Sequence, residues 1–130
     1  MNLKGNERYM NIANSFLVEG ANFKLFKNNS IIFPKNGGAV FTNKKRILTV
    51  DSLVDLNTGV FSPSKEIYFD FAFLLFSTID FRKIFKGTAL PTVDSKMLNN
   101  LMFAIPPLEE QKRIVTKVEE LLAIVDSMKK

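Results

Sequence analysis

The chain has 130 residues, 46% of them hydrophobic and 24% charged, so its length suits one domain and its composition excludes a disordered chain. It contains no Cys and no His, which excludes a disulfide framework, a thiolate zinc site and any hydrolase built on a Ser-His-Asp or Cys-His set. The net charge is +5, and its placement says more than its size. From Glu109 to Lys130, five acids (Glu109, Glu110, Glu119, Glu120, Asp126) balance five bases (Lys112, Arg113, Lys117, Lys129, Lys130). The whole excess therefore belongs to residues 1–108. A basic body joined to a neutral tail suggests a polyanion-binding part and a protein-binding handle.

No stretch reaches the roughly 18 apolar residues of a membrane span. Lys4, Glu7 and Arg8 interrupt the start, so no signal peptide is expected and the cytoplasm is the expected compartment. Thirteen Phe are present. Most sit in apolar runs and suit a Phe-rich core, with base-stacking platforms as the other reading.

In chain order, the Asn-dense first thirty residues, with apolar pieces at 16–18 and 23–26, predict short strands and turns. Ser30 to Phe33 predicts a strand, Pro34 to Gly38 a tight loop, and Ala39-Val40-Phe41 a resumed strand. Lys44-Lys45-Arg46 lies in a basic turn before a β-branched strand at 46–50. Residues 51–61 predict two short strands with a turn at Asn57-Thr58-Gly59. Ile67, Phe71, Leu74 and Leu75 then recur at helical spacing behind Ser64 as a candidate cap, which predicts a buried helix. A short helix is expected from Asp80 to Phe85, ended by Gly87. A helical turn is expected at 94–99 and a strand at 101–105. Pro106-Pro107 opens the last helix, with Glu109 and Glu110 at its positive end. In it Ile114, Val118, Leu121, Val125 and Met128 repeat with steps of 4, 3, 4 and 3, an a/d heptad seam flanked by Val115 and Leu122. Two heptads do not make a stable free coiled coil, so this helix needs something to pack on.

Three motifs bear on chemistry. Gly37-Gly38 follows a strand, but Ala39-Val40-Phe41 comes next where a phosphate loop needs Lys and then Ser or Thr, so a tight turn is the better reading. Asp80 with Asp94-Ser95-Lys96 superficially matches a magnesium-dependent nuclease, while helix capping by Asp94 or Ser95 explains the same residues. Lys44, Lys45 and Arg46 make either a solvated turn or, with Lys24, Lys27, Lys35, Arg82, Lys83 and Lys86, a phosphate-contact face. Charge alone leaves both open. No cofactor and no metal are expected.

The run Pro106-Pro107-Leu108-Glu109-Glu110-Gln111-Lys112-Arg113-Ile114-Val115 resembles the specificity subunits of type I restriction–modification enzymes. In that family a target-recognition domain ends in a strand and passes through Pro-Pro-Leu-x-Glu-Gln into a long helix. Ser30 to Gly38 resembles the family's strand-then-Gly turn, and Gly87-Thr88-Ala89-Leu90-Pro91 its Gly-Ser/Thr loop. The resemblance implies an α+β fold, with a mostly antiparallel twisted sheet, packed helices and a C-terminal coiled-coil helix. Residues 1–105 would be a partial target-recognition domain and 106–130 the start of the coiled coil. It implies a non-catalytic reader of double-stranded DNA, with methyltransferase subunits, and a restriction subunit, as partners. Thr88 joins Lys35, Lys44, Lys45, Arg46, Arg82, Lys83 and Lys86 as candidate DNA contacts. A full subunit of this family has two recognition domains and two long helices, so a half-subunit or fragment is expected. Its helix would then pair with a second copy or another specificity chain. Two further readings stand beside this one: an interaction module that uses its helix without touching DNA, and a magnesium-dependent nuclease.

Overall fold

The computed structural model describes residues 8–10 and 26–129; the short strands expected over most of the first thirty residues lie outside them. The described residues form two compact units. One draws on Met1–Ser62 and Asp80–Leu101, the other on Pro63–Ile79 and Met102–Lys130. Residues 63–79 and 102–105 thus group with the C-terminal helix.

The first unit is built on a mixed sheet of β1 (Tyr9–Met10), β2 (Ile31–Pro34), β3 (Arg46–Leu48) and β4 (Thr58–Phe61), in the order β1-β3-β2-β4. β2 is antiparallel to β3 and β4, and β1 pairs parallel with β3. All four residues of β2 are buried, which is why Ile31-Ile32-Phe33-Pro34 is continuously apolar instead of alternating: a strand covered on both faces has no polar side. Phe33 pairs with Gly59 across β2 and β4, and a Cβ at Gly59 would run into the Phe33 ring. That ring is itself packed 5.0 Å from the ring of Phe81. The glycine is therefore a packing requirement, since only hydrogen leaves room for an aromatic ring over the backbone.

Several expected elements take other forms. Residues 39–41 are not a strand but part of a 3-10 turn, Gly38–Thr42. Thr42 Oγ1 donates to the Ala39 carbonyl at 2.6 Å, and Asn43 ends the turn in the left-handed region at φ 56°, a conformation that Asn tolerates better than β-branched residues. In place of two strands over 51–61 there is one, β4, with an isolated Phe26–Ser52 bridge before it. Asp55 holds the turn into β4, accepting the Asn57 N–H at 2.9 Å and the Thr58 hydroxyl at 2.8 Å; such local side-chain bonds compete with strand pairing. The expected helix at 80–85 is a 3-10 turn, Phe81–Lys83, followed by a two-stranded antiparallel pair, β5 (Phe85–Lys86) and β6 (Thr92–Val93). The turn expected at 94–99 forms as α2 (Ser95–Asn99), with the Asp94 carboxylate accepting the Lys96 and Met97 N–H groups. No strand is assigned at 101–105, whose residues are all exposed.

The second unit pairs α1 (Phe69–Ser77) with α3 (Leu108–Ser127). α1 begins five residues after Ser64, whose hydroxyl instead accepts the Glu66 N–H in a local turn at 3.3 Å. The true start is set from α3. Gln111 is 3% exposed; its side-chain carbonyl accepts the Tyr68 N–H at 2.9 Å and its amide donates to the Pro106 carbonyl at 2.8 Å. One side chain thus satisfies a backbone donor at the head of α1 and an acceptor beside the head of α3, groups that cost free energy when buried unpaired.

Replacing Gly59 with Ala is expected to destabilise the protein by about 1–3 kcal/mol, the usual cost of forcing extra volume into a packed core. Urea denaturation checks it; an unchanged midpoint would show that Phe33 can move aside.

Candidate nucleic-acid interface

Two segments of the first unit carry most of the candidate DNA contacts, 35–46 and 80–93. Together they hold seven basic residues and one acid, Asp80. Backbone bonds join them: Gly37 N–H to the Pro91 carbonyl at 2.7 Å, Val93 N–H to the Lys35 carbonyl at 2.9 Å, and a bridge between Asn36 and Thr92. The two 3-10 turns also pack together. Asn43 makes the central link, its side-chain carbonyl accepting the Phe81 N–H at 2.9 Å. This side chain and the backbone bonds together join segments about 38 positions apart in sequence, so the basic residues are carried on adjoining segments of one unit.

The individual placements differ. Arg82, Lys83, Lys86 and Thr88 are exposed, and Lys35, Lys44 and Arg46 are half-buried. Arg46 lies in β3, where its guanidinium donates to the Lys45 carbonyl at 2.9 Å. Arg82 forks onto Asp80 through Nε at 2.8 Å and Nη2 at 3.1 Å. That fork, first through the side-chain hydrogen bonds, holds the Asp80 carboxyl below the usual carboxylate range. Lys27, also counted among the bases, pairs with Asp51 at 3.4 Å on the surface.

Lys45 is the residue whose surroundings least resemble a phosphate contact. It is 6% exposed. Its ammonium lies 4.7 Å from the centroid of the Phe81 ring and donates to the Asn43 side-chain carbonyl at 3.1 Å. Burial pulls its pKa down to about 8; nearby Asp80 opposes that shift and Arg82 adds to it. In the run Lys44-Lys45-Arg46 the middle base thus serves the interior, because alternate side chains of an extended segment face opposite ways.

The nuclease-like carboxylates are occupied locally: Asp80 by Arg82 and its own turn, Asp94 by the head of α2. Among the described residues no group of three or more His, Cys, Asp or Glu is placed to hold a metal ion. No helix there is long and apolar enough to cross a membrane. Two features of the site carry no signature in the sequence. Asn43 is one Asn among many, and its role needs Phe81 beside it. Phe41 and Phe85 stand exposed with ring centroids 4.8 Å apart, edge to face.

On α3 the heptad residues divide. Ile114 and Val118 are half-buried, while Leu121, Val125 and Met128 are 51%, 48% and 77% exposed. Gln111 and Val115 are the buried residues of this helix.

The Pro106-Pro107 run that leads into α3 is the feature by which the chain resembles the class of DNA-specificity subunits, and comparison with known proteins agrees. The family model described as type I restriction modification DNA specificity domain matches residues 2–130, and the chain belongs to that family. The type I restriction enzyme MjaVIII specificity subunit of Methanocaldococcus jannaschii is 31% identical over 100 residues, which are 73% of this chain and 22% of that protein. A solved structure described as the structural basis underlying complex assembly and conformational transition of the type I R-M system shares the fold. Its TM-score is 0.68 at 16% identity, covering 84% of this chain and 27% of that one. The α+β class expected from the sequence is thus the fold observed. The chain spans about a quarter of the length of these relatives.

The depressed pKa of Lys45 has a signed consequence. Between about 8 and its ordinary value of 10.5, the unfolded chain holds this proton and the folded chain does not. Stability therefore rises with pH across that window, and the full penalty of the buried charge is present below it. Against a Lys45→Met reference, the wild-type melting temperature is expected to gain as pH goes from about 8 to about 10.5. Parallel curves for the two proteins would mean that Lys45 titrates as a surface lysine.

Proposed function

We propose that this chain recognises a specific sequence in double-stranded DNA, as a non-catalytic specificity element of a type I restriction–modification complex. Methyltransferase subunits, and a restriction subunit, would supply the chemistry. The observation that carries this reading is the basic region made by segments 35–46 and 80–93, on a domain of a DNA-specificity family. Lysines and arginines on phosphates set register without reading sequence, and neighbouring side chains reach the base edges. In this reading Lys35, Lys44, Arg46, Arg82, Lys83 and Lys86 are phosphate ligands, Thr88 a hydrogen-bonding contact, and Lys45 an interior support for the same surface. Residues 1–105 act as the partial recognition domain and 106–130 as the start of a coiled coil, in a cytoplasmic complex.

Replacing Lys44, Lys83 and Lys86 together with Ala is expected to weaken duplex binding. It should also flatten the plot of log K against log salt by about 0.9 for each phosphate that the variant no longer neutralises. Lys45 is left intact so that folding is not disturbed. A triple variant with the wild-type slope would remove this surface from the phosphates.

A second reading is favoured by a separate observation, the exposed apolar stripe of Leu121 and Val125 on α3 and Met128 just past its end. Each such side chain is worth roughly 1.5–3 kcal/mol when fully buried. We propose that the stripe packs against an equivalent helix, from a second copy of this chain or another specificity chain, in antiparallel fashion. In the strict form of this reading the chain is an interaction module that does not bind DNA. With about two heptads available, self-association should be weak. Analytical ultracentrifugation across micromolar concentrations is expected to show a concentration-dependent dimer for the wild type. Leu121→Asp with Val125→Asp should give a folded monomer. A wild type that stays monomeric throughout would rule out self-pairing through α3.

A further inference from the structure

We propose that Phe41 and Phe85 form an apolar reading edge that contacts the 5-methyl group of thymine in the DNA major groove. This rests on the duplex-binding reading above and adds to it a base-specific contact.

These two side chains are not part of the buried core. Phe33, Phe71, Phe73, Phe76 and Phe81 are buried, so core packing is already served by other rings. Phe41 and Phe85 remain 42% and 36% exposed. They meet edge to face, with centroids 4.8 Å apart at 89°. Each ring therefore restricts the other before any ligand arrives, and contact with DNA costs little further ordering.

Their setting identifies the ligand. Both rings lie in the two segments that hold six bases besides interior Lys45 and one acid, and exposed Lys83 and Lys86 flank Phe85 in the chain. That charge complements a polyanion. Phe85 opens the β5–β6 hairpin, whose residues 85–90 are all exposed. The hairpin is held by a tight turn at Gly87, where φ is +87° and a Cβ would come within 2.8 Å of the Leu90 carbonyl oxygen. β6 is held on its other side by segment 35–37, so β5 and the turn after it are the exposed part of the hairpin, and side chains on such a protruding edge can reach base edges in the major groove. Phenylalanine cannot donate or accept a hydrogen bond, so it cannot read the polar pattern of a base edge. The apolar feature that base pairs present in the major groove is the thymine methyl.

The test uses the full chain. Sites are first selected from a randomised duplex pool, and each thymine of a selected duplex is then replaced singly by deoxyuridine, which removes the methyl alone. Wild-type affinity is expected to fall about fourfold at one or more positions, the factor corresponding to one buried methylene-sized group. Phe41→Ala and Phe85→Ala should bind thymine and deoxyuridine duplexes equally while keeping the wild-type salt slope on unrelated duplex. A mapping that needs no variant places 5-iododeoxyuridine, whose halogen occupies the methyl position, at the sensitive site. Irradiation should crosslink it to Phe41 or Phe85. A wild type that binds selected duplex but is indifferent to every methyl overturns this proposal alone. So do crosslinks to other residues, or Ala variants that keep the methyl preference. A wild type that binds no duplex DNA overturns the DNA reading as well.

Discussion

The first unit depends on the side chain of Asn43. It sits at φ 56° at the end of a 3-10 turn and accepts both the Phe81 backbone N–H and the Lys45 ammonium. Phe81 is fully buried and stacks at a tilt against Phe33, whose ring lies over Gly59. A chain of contacts thus runs from the sheet through two aromatic rings to the amide of Asn43, and from there to the basic segments. A buried amide hydrogen bond is worth only about 1 kcal/mol net, but leaving its donor unpaired costs more. The bond therefore acts mainly as a geometric constraint: the Phe81 N–H is satisfied when the two turns meet, and the exposed bases on both are positioned by that meeting.

The second unit is organised by an analogous device. Gln111 is the signature position at which the family's Gln follows Glu, and its two bonds explain why an amide is needed there. One atom must accept from Tyr68 and another must donate to Pro106. Glutamate has no donor when ionised, and leucine has neither group. The Pro-Pro pair has no N–H groups of its own to offer, so the start of α3 is held by this side chain and by the acidic first turn. Beyond Val115 the helix has no buried residue among those described. Its heptad pattern continues through Leu121, Val125 and Met128, where the residues are exposed.

The two ends of the chain differ in charge. Basic residues gather on the sheet unit, where polyanion contact is proposed. The neutral helix instead carries surface ion pairs at i, i+3 spacing, such as Glu110 with Arg113 at 2.9 Å. Such exposed pairs add little stability. They keep the polar face solvated, while Leu121, Val125 and Met128 are exposed on the apolar side.

The amino-acid sequence by itself determines the elements whose causes are local. The continuous apolar run of β2, the Asp94 cap of α2 and the heptad spacing of α3 are patterns in which a residue and its near neighbours settle the conformation. The family signature at 106–115 is local too, and the absence of His and Cys removes whole classes of chemistry on composition alone. Tertiary structure decides the rest. Val40, between two neighbours that suit a strand, goes into a 3-10 turn because Asn43 and Phe81 meet there. Residues 101–105, apolar enough for a strand, form none. Ser64 does not begin α1, because Gln111, 43 residues after Tyr68, supplies the bond that does. Lys45 reads in sequence as one of three equivalent bases and is in fact an interior residue beside an aromatic ring. For α1, Val40 and Lys45 the deciding partner is distant in sequence. Composition and periodicity determine what a segment can become, while the free energy of burial and of satisfied backbone groups, settled only in three dimensions, determines which of those forms it takes.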